Sequence, residues 1–306
     1  MSEKFSKNLP ERFTKNTLDA CGEAGKKWLD DLPQTVQTLS ENWLLTVEKP
    51  FPNLSYNFVA PCICKNKSEA VLKIALPLNN PKIFNEAEFL RMAGGKGTVK
   101  LLEIDKNRRA ILLEKLTPGK HLKEVFSREE AKTVEIAISV IRRILKKPPE
   151  NSAFQQLEEW FNNFFEKTPK TVFPLEFLSK TSEFFEELNV APKFLIHGDL
   201  HHENILSATR EPFLAIDPKG IIGKVGYEIA VFLNNHLWWL AKEPNLREKL
   251  DNAVGKFSEA FEITPRDLRK WAFAQMILSA WWTFEENGAD WQNELAFAAI
   301  WEGGEC

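Results

Sequence analysis

Phe194-Leu195-Ile196-His197-Gly198-Asp199-Leu200-His201-His202-Glu203-Asn204-Ile205-Leu206 decides how the rest of the chain is read. A short apolar run, Phe194 to Ile196, brings the chain to a polar knot in which Asp199 and Asn204 bracket four residues. A second apolar run and a turn follow, then Phe213-Leu214-Ala215-Ile216, which leads into Asp217. Two short strands with an Asp before them, an Asn at their junction and an Asp after them make a compact, oxygen-rich site. Hard oxygen donors of this type suit Mg²⁺, which takes few protein ligands and completes its shell with phosphate oxygens and water.

Upstream of this stretch the period of the chain changes twice. Residues 1–50 read as helical, with Leu32, Val36, Leu39 and Trp43 on one face and Pro50 and Pro52 closing the segment. From Leu54 the pattern becomes that of strands: Leu54, Tyr56, Phe58, Ala60, Cys62 and Cys64 alternate with polar or small neighbours, and Ala70 to Ala75 forms a second run. Lys73 interrupts that run on the face of Val71 and Ala75, and a lysine in a buried strand needs an anion unless its head reaches water. Pro81 to Ala93 reads as a helix whose apolar face is set by Ile83, Ala87 and Leu90, with Glu86 closer to that face than Glu88. A hairpin over 99–114 and a hinge at Leu116-Thr117-Pro118-Gly119 complete a first lobe, 1–116.

The second lobe, 117–306, is nearly all helix. Ser127 to Glu130 reads as a capping box ahead of a core face of Ile136, Val140, Ile141 and Ile144. Helices near 152–167 and 175–189 precede the opening stretch, and helices near 226–242, 245–261, 265–287 and 289–301 follow it, with Thr264 as N-cap and Pro265 at the first helical position. Strands and helices are segregated, so the expected class is α+β.

Composition narrows the function. A net charge of −3 leaves no basic excess to meet a phosphate backbone, which argues against nucleic acid as partner. No run of about 18 apolar residues is present for a membrane span, and the N-terminus lacks the apolar core of a signal peptide. Cys21, Cys62, Cys64 and Cys306 are poorly spaced for zinc and read as reduced thiols of a cytoplasmic protein. No Walker A pattern occurs.

The Asp199–Asn204 spacing with Asp217 matches the template in which a catalytic Asp lies across from a metal-binding Asn and Asp, as in phosphoryl transfer by kinases. His197 to Asn204, together with Ile216-Asp217-Pro218-Lys219-Gly220, resembles the aminoglycoside phosphotransferase and choline kinase superfamily. The segments Gly226-Tyr227-Glu228-Ile229-Ala230 and Leu112-Leu113-Glu114-Lys115-Leu116 make it most similar to the streptomycin 6-kinase and hydroxyurea phosphotransferase branch, over roughly residues 50–300. The resemblance implies a two-lobed, protein-kinase-like fold with ATP and Mg²⁺ as cofactors. It gives Lys73 the α- and β-phosphates, Glu86 the role of its ion partner with Glu88 as fallback, Glu114 to Leu116 the adenine, Asp199 the catalytic role, and Asn204 and Asp217 the metal. His197 is expected to be a structural histidine, because Asp199 already supplies a base. The chain departs from the pattern in two places. Its phosphate loop, Asn53 to Phe58, contains no glycine, so Ser55 and Asn57 side chains are expected to take over part of the contact. Glu228 stands where the branch commonly has Asp, as a structural anchor.

The acceptor is expected against the C-terminal helices, where seven Trp (238, 239, 271, 281, 282, 291 and 301) meet Glu285, Glu286 and Asp290. Aromatic faces with carboxylates suit a cationic, hydroxyl-bearing small molecule, and Trp282 and Glu285 are the chosen contacts. Streptomycin fits that description. A metabolite kinase is the alternative, as is a silent binding protein on the same fold. A protein kinase is disfavoured, since a helix follows Asp217 too soon for a long activation segment. Monomer and dimer are equally compatible with the sequence.

Overall fold

Alternation in its strands and helical periodicity elsewhere sort the chain into two units, Met1–Gly119 and Lys120–Cys306. The computed structural model describes residues 9–78, 82–150, 152–169, 171–288 and 290–302; Cys306 and Pro81 therefore lie outside the described residues.

In the first unit, α1 (Glu11–Trp43) precedes β1 (Leu45–Val47), β2 (Phe58–Cys64) and β3 (Glu69–Ile74). Next come α2 (Ile83–Ala93), β4 (Leu101–Asp105) and β5 (Ala110–Glu114). The five strands form one antiparallel sheet in the order β1-β2-β3-β5-β4. Register pairs Phe58 with Ile74, Ala60 with Leu72 and Cys62 with Ala70, so these six side chains share a face. They bury against Phe13, Leu32, Val36 and Leu39 of α1, and each large apolar side chain so buried contributes about 1.5–3 kcal/mol. Lys73 points to the opposite face, where its strand neighbours are Val59 and Ile111.

The helical lead-in is shorter than its periodicity suggests. It ends at Trp43, Leu44 turns left-handed (φ 55°, ψ 53°), and Leu45–Val47 pairs with Cys62–Cys64 as an edge strand. The β-branched pair Thr46 and Val47 fits a pleated edge better than another helical turn. The alternation on β2 is realised only from Phe58, since residues 55–57 form bends.

β6 (Pro118–His121) runs across the boundary at Gly119, so the expected hinge ends in a strand. Then follow α3 (Leu122–Val125), α4 (Glu130–Ile144), β7 (Gln155–Gln156), α5 (Leu157–Lys167) and α6 (Leu175–Leu188). Four short strands come next: β8 (Phe194–Ile196), β9 (Ile205–Ala208), β10 (Phe213–Ala215) and β11 (Ile221–Gly223). The chain closes with α7 (Val225–Leu240), α8 (Leu246–Phe261), α9 (Pro265–Asn287) and α10 (Gln292–Glu302). The strands make two three-stranded sheets, β10-β9-β6 and β7-β11-β8.

Two local expectations fail here. Ser127 does not cap α4: it lies in the turn that closes α3, Glu129 N donates to Phe126 O at 3.1 Å, and the cap position carries no side-chain bond. The buried face of α4 is accordingly Thr133, Val134, Ala137, Val140, Ile141 and Ile144, with Ile136 only half-buried. The expected N-cap of α9 does form, with Thr264 Oγ1 accepting from Asp267 N at 3.1 Å. Its aromatic faces pack on those of its neighbours: Trp271 meets Tyr227 of α7 and Phe185 of α6 edge-on. Gly226 makes room for that packing, because a Cβ there would sit 2.3 Å from Trp271 Cδ1. Among the described residues, no helix is long and apolar enough to cross a membrane.

Candidate active site

The hairpin β9–β10 pairs Ile205 with Ala215, and its ladder continues outward as Ile216 N donates to Asn204 O at 2.9 Å. Asn204 and Asp217 therefore flank the hairpin mouth. Asn204 Nδ2 donates to the carbonyl of Asp199 at 2.9 Å, which fixes the amide and leaves its oxygen as the group available to a cation. Asp217 takes φ 57°, a left-handed conformation that an Asp tolerates better than most residues and that functional sites often hold.

His197 braces these groups from below. It is fully buried, its Nε2–H donates to Ile216 O at 2.8 Å, and its Nδ1 accepts from Asp199 N at 3.2 Å. One neutral tautomer satisfies both bonds. Burial holds the imidazole down at about 4, against the pull of Asp199, so it is uncharged at neutral pH and already engaged on both nitrogens. This is the structural histidine expected from the sequence. Its carbonyl accepts from Lys219 N at 2.8 Å and Gly220 N at 3.2 Å.

Gly198 carries φ 79°, and a Cβ on it would lie 3.0 Å from Ile221 Cγ1. Its N–H donates to Glu228 Oε2 at 2.8 Å. Glu228 is fully buried, and burial pushes its carboxyl up to about 8, with the Asp199 charge adding to the rise and the backbone donors opposing it. It is a neutral acid at pH 7 that anchors the turn carrying Asp199.

One ammonium lies among the carboxylates. Lys219 Nζ is 2.9 Å from Asp199 Oδ2 and 3.5 Å from Asp217 Oδ2, and His201 Nε2 is 3.9 Å from Asp199 Oδ1. Lys219 was legible in the Asp-Pro-Lys segment, yet nothing in its spacing gave it a partner; only the turn at Asp217 swings it back. The donor set fits Mg²⁺. It offers one amide oxygen and one carboxylate, an incomplete shell that suits an ion shared with phosphate. Among the described residues no group of three or more His, Cys, Asp or Glu could hold a metal by itself.

In the first unit, Lys73 Nζ lies 2.6 Å from Glu86 Oε2, and both side chains are nearly fully buried. Glu88 is turned away and pairs with Arg91 at 2.5 Å on the surface. Ser55 is exposed in the bend before β2, its carbonyl held by Asn16 Nδ2 at 3.1 Å, and Asn57 is half-buried. Glu114 ends β5, its carboxylate accepting from Lys100 N at 3.1 Å, and Leu116 is buried.

Among the described residues, no hydrogen bond, ion pair or ring contact joins Trp282 or Glu285 to the loop 197–204. Trp282 packs edge-on against Trp160 with centroids 5.2 Å apart, and Glu285 is exposed. Four of the seven C-terminal Trp (271, 281, 291 and 301) are core. An open groove instead borders His201 and His202 on the loop itself, lined also by Lys123, Glu203, Asn235, Trp238 and Trp239. Periodicity hid it, because its walls come from α3, α7 and the loop. An exposed Trp238 (44% accessible) beside Trp239 was the available signal.

The chain is 25% identical over 296 residues to a streptomycin 6-kinase of Streptomyces glaucescens, covering 94% of this chain and 95% of that one. It is 28% identical over 287 residues to a hydroxyurea phosphotransferase of Kitasatospora aureofaciens, covering 91% and 81%. Among solved structures it is similar to the choline kinase LicA of Streptococcus pneumoniae, with a TM-score of 0.62 at 14% identity over 90% of this chain and 99% of that one. That likeness shows the protein-kinase-like fold, strand-rich in its first unit and mainly helical in its second. Residues 44–288 match the model of the aminoglycoside/hydroxyurea antibiotic resistance kinases, and the chain belongs to that family of small-molecule kinases.

Proposed function

We propose that the protein transfers the γ-phosphoryl group of ATP, with Mg²⁺, to a hydroxyl of a small molecule, and that streptomycin or a related aminoglycoside is the first acceptor to test. The observation that carries this reading is the hairpin mouth, where a buried imidazole bonds Asp199 N and the carbonyl of Ile216, the residue before Asp217, and Asn204 Nδ2 bonds the Asp199 carbonyl. In this mechanism Asp199 accepts the hydroxyl proton or orients the hydroxyl for in-line attack. Asn204 and Asp217 would hold the metal, which supplies charge stabilisation at the phosphate oxygens. Lys73, paired with Glu86, would hold the α- and β-phosphates. Glu114 to Leu116 would meet the adenine, with Ser55 and Asn57 on the phosphate side.

A second reading, an uncharged hydroxylated metabolite as acceptor, is favoured by one contact. Lys123 Nζ lies 5.8 Å from the centre of the Trp239 ring, on the wall of the groove next to His201. An ammonium there opposes a polycation and leaves the ring faces to a neutral ligand. Turnover of ATP across a panel of aminoglycosides and neutral polyols, with Asp199→Ala as control, tests both. Phosphorylated streptomycin in the wild type alone supports the first reading. Turnover confined to neutral acceptors supports the second, and no turnover above the control anywhere in the panel leaves a silent binding protein.

A further inference from the structure

Lys219 has no place in the mechanism so far, yet it is the cation nearest to Asp199. Its root is rigid: the backbone N–H is fixed on His197 O at 2.8 Å, the residue that also braces Asp199. Its ammonium then spans from Asp199, at 2.9 Å, to Asp217, at 3.5 Å. The side chain is about one-third accessible (31%), as are those of Asp199 (33%) and Asp217 (41%), so the ammonium lies at the open side of the cluster. If Asp199 serves the acceptor and Asp217 the donor side, a phosphoryl group passing from one to the other crosses the position between these carboxylates. The nucleotide loop Asn53 to Phe58 lacks glycine and so presents side chains where close backbone approach is usual.

We infer that Lys219 is a catalytic residue that donates hydrogen bonds to the non-bridging oxygens of the phosphoryl group in transit, and that its span between Asp199 and Asp217 is the resting position from which it does so. The inference rests on the kinase reading above. In the step, the acceptor oxygen forms its bond to phosphorus as the bond from phosphorus to the β,γ-bridging oxygen breaks. The electron pair of that bond leaves with the nucleoside diphosphate, the hydroxyl proton goes to Asp199, and Lys219 keeps its own protons. Charge on the equatorial oxygens meets a fixed ammonium, the kind of stabilisation that acts on the transition state.

Isothermal titration of the wild type, Lys219→Met and Lys219→Arg with Mg·ADP and with Mg·AMP-PNP, beside kcat and KM, tests this. Lys219→Met is expected to bind Mg·ADP within about twofold of the wild type, to bind Mg·AMP-PNP about tenfold more weakly, and to lose roughly a hundredfold or more in kcat. Lys219→Arg is expected to recover most of the AMP-PNP affinity. An unchanged ratio of AMP-PNP to ADP affinity in Lys219→Met overturns the role and leaves a surface ion pair. Equal weakening of both nucleotides also overturns it, by showing a structural effect. A wild type that binds neither nucleotide fails one step earlier, and the kinase reading falls with it.

Discussion

Asp199 is held from three directions, by His197 at its N–H, by Asn204 at its carbonyl and by Lys219 at its carboxylate. None of these partners belongs to a regular element, so the position of Asp199 is set by two side chain–backbone bonds and one ion pair. Glu228 supports this from beneath, through Gly198 N. Its raised carboxyl gives a signed prediction. The unfolded chain ionises near 4.5 and the folded one at about 8, so the stability this group contributes is full below 4.5 and is lost as pH rises towards 8. Glu228→Gln is expected to remove that alkaline loss while keeping the bond from Gly198. Glu228→Ala, which strands the N–H, is expected to cost about 1–3 kcal/mol at any pH. Denaturation midpoints of the three proteins at several pH values decide it; identical slopes for wild type and Glu228→Gln would refute the buried neutral acid.

At the scale of elements, the strand lysine and the helix glutamate show what was legible and why. Lys73 broke an apolar run, and Glu86 bordered an apolar helix face, so burial made each conspicuous. Glu86→Gln is expected to destabilise the protein by about 3–5 kcal/mol through loss of the buried charge pair with Lys73. It should also raise KM for ATP by more than KM for the acceptor; equal effects on both would sink the nucleotide role of the pair. The failed expectations share the opposite trait. β1 and β11 are three residues each, too short for their β-branched residues to show a period, and pairing with neighbouring strands completes them. Ser127 had the spacing of a cap, but the turn that ends α3 had already used the chain there. The groove beside His201 was illegible for the same reason: its lining is drawn from separate elements whose rings look alike in sequence, and four of the seven C-terminal Trp turned out to be core.

At the scale of the whole molecule, three histidines set the acid limit. His197, His202 and His236 are buried, and burial lowers all three, His197 and His236 to about 4. An unfolded chain takes up these protons near pH 6.5, so the stability they contribute is present above 6.5 and lost as pH falls towards 4, by up to ~1.4 kcal/mol per pH unit for each group. Stability measured by urea unfolding at pH 7 and pH 5 is expected to drop steeply, and a flat profile would show the imidazoles reaching water. His202 Nε2 and His236 Nδ1 lie 3.2 Å apart, so protonating both would set two like charges side by side.

The brace at His197 has a further meaning for how this protein could diversify. Asp199, Asn204, Asp217 and Lys219 all lie between Ile196 and Gly220, and the bonds that link them run through the His197 imidazole and the carbonyls of His197, Asp199 and Ile216 within that same segment. The groove walls at Lys123, Asn235, Trp238 and Trp239 lie outside it. Exchanging those walls would leave these bonds in place, so the groove can be reshaped without rebuilding the loop beside it.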